Sequence, residues 1–148
     1  MIKAMPQYTQ YAYRMPLAKV NPATYATTFP NGIVSGTWLT IDANGYAVPA
    51  TGTATKAYMG VNDHNATRNT VSYFDQEALT VLAGAYVVDT DQYETGVTYV
   101  PMAPLKVSAN GKLTLWVSGT DTDVTKIVGY CHRVPASATD TMTFASVA

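Results

Sequence analysis

Apolar and polar residues alternate in short runs along most of this chain, and turn-forming residues separate the runs. Alternation with a period of two is typical of β-strands that bury one face. The pattern predicts strands at 33–42, 46–49, 57–62, 71–74, 78–83, 86–89, 97–100, 105–108, 112–117, 126–134 and 142–147. The one candidate for a short helix lies at 73–79. The sequence therefore predicts an all-β fold, either a small β-sandwich or a β-barrel with tight hairpins.

Two of these runs are almost alike and end in the same turn. The sequence LTIDANG occupies 39–45 and LKVSANG occupies 105–111, so the two Asn-Gly pairs lie 110 − 44 = 66 positions apart. Each pair predicts a type I′ hairpin turn, in which both central residues have positive φ. A lysine-led apolar segment with an internal glycine follows each hairpin, at 56–61 and 126–130. We therefore expect a weak internal duplication within a single β-rich domain over residues 31–148.

The first thirty residues have a different pattern. Four prolines, at positions 6, 16, 22 and 30, exclude a long helix and favour extended chain. Tyrosine and methionine recur between them, and these side chains supply large contact areas at protein interfaces. Residues 1–30 are therefore either an extended N-terminal arm that binds a partner or a first strand and loop folded back on the chain's own core. The candidate contact residues in this segment are Tyr8, Tyr11, Tyr13, Met15 and Tyr25.

A sixth candidate contact residue lies in the strand predicted at 112–117. Alternation places Leu113, Leu115 and Val117 on one side of this strand, and we expect them to face the core. Trp116 then projects from the polar side. A large indole on a polar face is either covered by a neighbouring loop or offered to a partner.

The other tryptophan has a similar setting. In the strand predicted at 33–42, Leu39 and Ile41 share one face and Trp38 lies on the opposite one. We therefore expect the two halves of the chain to carry equivalent tryptophans, each beside an Ala-Asn-Gly hairpin.

The charge content is low. Charged residues make up 13% of the 148 residues and the formal net charge is −1, which is not the electrostatic footprint of a nucleic-acid-binding or membrane-binding protein. No apolar run approaches the roughly 18 residues of a membrane span, and the first residues lack the apolar core of a signal peptide. We expect synthesis in a cytoplasm and a neutral surface suited to contact with other proteins.

Few residues could support catalysis. Cys131 and His132 are adjacent, so on a strand they point to opposite faces and cannot form a dyad, and His64 could pair with Cys131 only through a tertiary contact that the sequence does not show. The single cysteine lies in an apolar run and is expected to be a buried thiol. The Asp-Thr-Asp sequences at 89–91 and 121–123 are more typical of turn caps than of metal ligands. We therefore expect no enzyme activity, no cofactor and no metal.

The order of the predicted segments resembles that of the head decoration, or cement, proteins of tailed bacteriophages. The resemblance covers about residues 32–135. It is carried by the sequences VSGTWLTI at 34–41, YMGV at 58–61, ALTVLAGAY at 78–86, YVPMAPLKVSANGKL at 99–113 and IVGYC at 127–131.

The resemblance implies a β-rich protein without cofactors on the outer capsid surface of a virion. Such proteins bind the major capsid protein, often as trimers or dimers, and stabilise the head. An arm could add a strand to a capsid subunit while Tyr8, Tyr11 and Tyr13 fill pockets on its surface. The alternative is a tail or head-fibre module that binds a host glycan or receptor through Trp38, Trp116 and loop tyrosines. A weaker one is a head-to-tail joining protein.

Overall fold

The computed structural model describes residues 2–4, 13–16, 20–21, 23–30, 33–52, 57–60 and 80–147, with the backbone alone for 2–4, 13–16 and Thr80. Its elements are β1 (Ile2–Ala4), β2 (Tyr13–Pro16), α1 (Tyr25–Thr28), β3 (Trp38–Ile41), β4 (Ala47–Pro49), β5 (Tyr58–Gly60), β6 (Thr80–Ala83), β7 (Val87–Thr90), β8 (Pro104–Val107), β9 (Leu113–Leu115), β10 (Gly129–Arg133) and β11 (Met142–Ser146), with one 3₁₀ turn at Val124–Lys126. The predicted strand at 71–74 and the short helix at 73–79 lie outside the described residues.

The described strands form two antiparallel sheets. One has six strands in the order β1-β7-β11-β10-β8-β9, and the other has five in the order β2-β6-β5-β3-β4. The all-β prediction is confirmed, and neither sheet closes into a barrel. The strand predicted at 97–100 is wrong, because this segment has irregular backbone. The strand predicted to begin at residue 33 begins at Trp38.

The same order of strands occurs in both sheets. If β2 to β6 are numbered one to five, their sheet order is one-five-four-two-three, and β7 to β11 follow the same order with β1 added beside β7. The hairpins also have the same register. Leu39 lies opposite Pro49 in β3 and β4, and Leu105 lies opposite Leu115 in β8 and β9. Both members of the second pair follow the first by 66 positions, since 105 − 39 and 115 − 49 are equal.

The third strand of each half is equivalent as well, but with a different offset. Leu39 lies opposite Tyr58 of β5, and Leu105 lies opposite Gly129 of β10. The offset between these third strands is 129 − 58 = 71. Gly60 and Gly129, which the lysine-led segments place in similar sequence positions, are therefore not structural equivalents.

The two Ala-Asn-Gly turns have the same conformation, but it is not the predicted type I′. Gly45 and Gly111 have φ of 83° and 69°, whereas the asparagines before them are not at positive φ. The amide of Gly45 donates to the carbonyl of Asp42 at 3.0 Å, and that of Gly111 donates to Ser108 at 3.2 Å. Each hairpin loop thus has three residues instead of two. Loops of this length typically form a type I turn followed by a residue in the left-handed region, which is the glycine here.

The side chain that begins the first turn holds it together. Oδ1 of Asp42 accepts hydrogen bonds from the amides of Asn44 and Tyr46, both at 2.9 Å. We expect Asp42→Ala to lower the free energy of unfolding, measured by urea denaturation, by about 1 kcal/mol. Asp42→Ser is the matched control, because the hydroxyl of Ser108 accepts from the amide of Asn110 at 3.1 Å in the second hairpin. An equal loss in the serine variant would contradict this account of the turn.

The main core lies between the sheets. Its central contact joins Trp38 of the five-stranded sheet to Phe144 of the six-stranded sheet, with ring centroids 5.7 Å apart and an edge-to-face geometry. The other buried members are Ala50, Met59, Tyr86, Val88, Tyr93, Tyr99, Leu105, Val107, Leu113, Cys131 and Met142. These contacts fix one face of each sheet against the other.

A second cluster covers the opposite face of the five-stranded sheet. It contains Val20, Tyr25, Phe29, Ile33, Leu39 and Val81. The neighbouring residues Trp38 and Leu39 point into different clusters, so β3 is buried on both faces. The segment around α1 therefore closes the outer side of this sheet.

Candidate interaction surfaces

The N-terminal candidates fall partly outside the described residues, where Tyr8 and Tyr11 lie. The backbone of Tyr13 and Met15 belongs to β2, which pairs with β6, and β1 pairs with β7. In its described part, the segment thus folds back on the body of the protein. Each of these two strands is the last described strand at one edge of its sheet. An edge strand retains backbone groups that a partner strand can pair with.

Tyr25 does not face a partner in this fold. It begins α1, is 8% exposed, and places its ring 5.6 Å from that of Phe29. The one-turn helix directs this aromatic pair onto the five-stranded sheet, in the second cluster. Burial raises the pKa of the Tyr25 hydroxyl. The expectation that Tyr25 is a contact residue is therefore corrected, since its ring fills the protein's own core.

Trp116 is half-buried beside the loop that follows β9. Its indole N–H donates to the carbonyl of Asp123 at 3.2 Å. The carboxylate of Asp121 fixes the same loop by accepting from the Val117 amide at 2.8 Å and from the Lys106 ammonium. The hydrogen bond from Lys106 is the main cause that lowers the pKa of Asp121. The core position predicted for Val117 is wrong, because β9 ends two residues earlier and leaves Val117 47% exposed.

Trp38 does not repeat the setting of Trp116. It is 3% exposed in the main core, and its indole N–H has no hydrogen-bond partner among the described residues. The predicted equivalence of the two tryptophans is therefore wrong, since the hairpin offset of 66 pairs Trp38 with Pro104. A sugar-stacking role for Trp38 is excluded by its burial in this fold.

The outer face of the six-stranded sheet, which points away from the main core, carries a continuous row of uncharged side chains. Backbone pairing places Pro104 beside Tyr130, Tyr130 beside Ala145, and Ala145 beside Val87. The amide of Trp116 donates to the carbonyl of Pro104 at 2.9 Å, which adds the indole to the end of the row. All five residues are half-buried. We call Trp116, Pro104, Tyr130, Ala145 and Val87 the outer row.

Charges border the outer row and are paired with each other. Lys106 contacts Asp121 on one side. On the other side, Arg133 lies 3.6 Å from Asp89 and 3.3 Å from Asp140. Backbone amides that donate to Asp140, with Arg133 nearby, hold the pKa of this carboxyl below its usual range. The outer face therefore combines an uncharged centre with borders whose charges form ion pairs.

A second exposed apolar feature is the turn between residues 100 and 103, which we call the apolar turn. The amide of Ala103 donates to the carbonyl of Val100 at 3.1 Å, and Pro101 and Met102 form the corner. Met102 has φ of 63°, the conformation that a type II turn normally assigns to glycine. Its amide donates to the carbonyl of Cys131 at 2.7 Å. Val100 and Met102 are 55% and 65% exposed.

The sequence contained part of the signal for these surfaces. Pro101 predicts a turn, but methionine at positive φ is rare and nothing in the sequence indicated it. Ala145 and Val87 alternate with the buried Phe144 and Val88, so alternation could have identified them as outward-facing. Of the predicted contact residues only Met15 is not aromatic, and the small and branched side chains of this face are not among them.

Among the residues considered for catalysis or metal binding, the described ones include a buried thiol and a turn-capping carboxylate, and His64 lies outside the described residues. Cys131 is buried and burial raises the pKa of its thiol, whereas His132 is exposed. The prediction of a buried thiol is confirmed, and a register shift between Cys131 and Arg133 interrupts the strand at His132. Asp123 caps the 3₁₀ turn by accepting from the Thr125 amide. Within the described part of the chain, no three His, Cys, Asp or Glu residues form a group that could hold a metal ion.

Comparisons with known proteins add no relative. No protein-family model, curated protein or solved structure matches this chain. No helix in the described ranges is long and apolar enough to cross a membrane. The apolar turn and the outer row are therefore the surfaces on which functional proposals can be based.

Proposed function

We propose that this chain is a head decoration protein of a tailed bacteriophage, which binds the major capsid protein on the outer capsid surface and stabilises its lattice. The sequence resemblance suggests this class of protein. The observation that carries the proposal is the apolar turn, where exposed hydrophobic side chains are held in a fixed and strained backbone. Such a turn is suited to insertion into a shallow apolar depression on a partner.

The conformation of Met102 supports a contact role. A residue other than glycine in the left-handed region costs about 1–3 kcal/mol and persists where the surroundings impose it. Here the hydrogen bond to the Cys131 carbonyl ties the turn to β10, whose Cys131 side chain is 0% exposed. The side chain of Met102 is 65% exposed, so it contributes little to the stability of the isolated fold. A partner contact gives a reason for a flexible apolar side chain at this position.

The low charge of the chain fits a repeated role on a lattice. With a net charge of −1, many copies can bind close together without strong mutual repulsion. Identical weak contacts on a lattice combine into firm attachment when subunits are linked. A protein that binds assembled capsid subunits but not dispersed ones stabilises the assembled state by mass action.

Localisation on virus particles tests this proposal directly. Particles would be prepared from the phage or induced prophage that encodes the chain, and the chain would be tagged and labelled with gold for electron microscopy. We expect the label to be distributed over the whole head. Particles made without the chain should release their DNA at a lower temperature. Label confined to the tail would overturn the proposal and favour the glycan-binding or receptor-binding alternative.

Replacing the strained methionine should separate stability from binding. Met102→Gly removes an exposed side chain and gives φ of 63° to the residue that adopts it most readily. We expect the free energy of unfolding to stay unchanged or to rise by up to about 1 kcal/mol, measured by urea denaturation. Attachment to heads that lack the chain, measured by co-sedimentation, should weaken by about tenfold or more.

Val34→Ala is the matched control for this prediction. Val34 is also exposed, at 39%, but it lies near the start of β3 in the five-stranded half. We expect this variant to co-sediment with heads like the wild type. If Met102→Gly also bound like the wild type, the apolar turn would not be the contact surface. That result would exclude the apolar turn as the contact surface, but it would not contradict the location of the chain on the head, which electron microscopy tests separately.

A further inference from the structure

Because the two sheets share one strand order, the outer row has a structurally equivalent row of residues in the five-stranded sheet. In the five-stranded sheet, Trp38 lies beside Met59 and Met59 lies beside Leu82. The amide of Ala50 donates to the carbonyl of Trp38 at 2.8 Å, as the amide of Trp116 donates to Pro104. The row Ala50, Trp38, Met59 and Leu82 is thus equivalent to Trp116, Pro104, Tyr130 and Ala145.

These equivalent rows differ in their surroundings. The row of the five-stranded sheet packs on the inner face of the six-stranded sheet and is part of the main core. The outer row is half-buried and borders solvent. Val147, which directly follows the last residue of β11, is 44% exposed. The row of the five-stranded sheet therefore packs against a second sheet, whereas no described sheet packs against the outer row.

The described strands offer four sheet faces, and three of them are covered. The two inner faces cover each other in the main core. The second cluster, with Tyr25 and Phe29, covers the outer face of the five-stranded sheet. The face that carries the outer row is the fourth. Among the described residues, neither a sheet nor a buried cluster covers this fourth face, so in another copy of the chain the matching face is the same face.

We propose that the outer row is a self-association surface, through which the six-stranded sheets of two copies pack face to face about a two-fold axis. A contact between identical faces is isologous and closes at two subunits. Paired sheets pack about 10 Å apart, a distance at which half-buried side chains such as those of the outer row can interdigitate. The proposal does not depend on capsid binding and does not use the apolar turn.

The distribution of charge favours a second copy as the occupant. Self-association brings each charge of the face near its own kind from the partner, which is unfavourable for unpaired charges. On this face, Lys106 is neutralised by Asp121, and Arg133 lies near Asp89 and Asp140. The centre of the row carries no charge. Two such faces can therefore meet without a strong like-charge repulsion.

The molar mass of the full chain in solution tests the proposal. Light scattering after size-exclusion chromatography, over a wide range of protein concentration, should give twice the 15.9 kDa of the single chain. Ala145→Lys places a charge at the centre of the outer row, where a lysine of a monomer can extend into water. We expect the dissociation constant of the dimer to rise by about tenfold or more in this variant, which should then elute as a monomer.

Two further variants keep this test decisive. Val34→Lys adds the same charge at an exposed position in the other half of the protein and should remain dimeric. Tyr130→Lys is a second disruption of the outer row, and far-ultraviolet circular dichroism of both row variants should match the wild type, which shows that they fold. A wild type that stays monomeric at the highest concentration would overturn the proposal. Row variants that fold and remain dimeric would overturn it as well.

Discussion

Replacing Gly129 by alanine is expected to lower the free energy of unfolding by about 3 kcal/mol, the upper end of the usual cost of overpacking. A Cβ atom at this position would lie 2.2 Å from the carbonyl oxygen of Ala145 and 2.5 Å from the ring of Phe144. The carbonyl belongs to β11, which pairs with β10, so it cannot move away without breaking the ladder. Urea denaturation monitored by tryptophan fluorescence would measure the loss.

Gly52→Ala is the matched control for Gly129→Ala. Its added Cβ would have the carbonyl oxygen of Val107 as nearest neighbour, at 3.4 Å, an ordinary contact. We expect a change within about 0.5 kcal/mol, as for most substitutions without a packing defect. If the two variants were equally stable, the close approach of β11 to Gly129 would be wrong.

Alternation predicted the strands well where one face of a strand is polar. The hairpin of β8 and β9 is an example, because Leu105 and Val107 are buried whereas Lys106 between them reaches Asp121. Alternation is less informative for β3. Trp38 and Leu39 are both apolar and both buried, since a different layer covers each face of that sheet. Which layers exist is a property of the whole fold and not of the strand.

The segment at 97–100 illustrates why an apolar run need not form a strand. Tyr99 is 6% exposed, its hydroxyl donates to the carbonyl of Glu94 at 2.8 Å, and its ring lies 5.8 Å from that of Tyr93. Burial, with the nearby Glu94 charge, raises the pKa of Tyr99 to about 12. The segment is thus held by side-chain packing while its backbone pairs with no strand among the described residues. Composition alone does not distinguish this arrangement from a strand.

The candidate contact residues were chosen for size and aromatic character, and this choice could not separate core from surface. Tyr25 and Trp38 are large enough to fill a cluster and do so. Met102 could not be selected from sequence, because its importance rests on backbone conformation and exposure that the turn creates. The outer row needed the sheet order as well, since its members come from β7, β8, β10, β11 and the end of β9.

Phe144→Ala should be the most damaging substitution in the main core, with an expected loss of about 4 kcal/mol in the free energy of unfolding. The ring is fully buried, 5.7 Å from Trp38 and 6.1 Å from Tyr86 between ring centroids. It lies where the two sheets meet, so the cavity would be lined from both sides and could not collapse easily. Urea denaturation would measure the loss.

Phe29→Ala is the matched comparison for Phe144→Ala, because Phe29 is also buried, at 5% exposure, but lies in the second cluster beside α1. We expect about half the loss there, since a one-turn helix can shift into the space more readily than paired strands can. The substitution Gly129→Ala should also cost less in the Phe144→Ala background, because one of its two clashes is removed. The remaining contact with the Ala145 carbonyl keeps it destabilising, so full relief in the double variant would contradict the packing of β10 against β11.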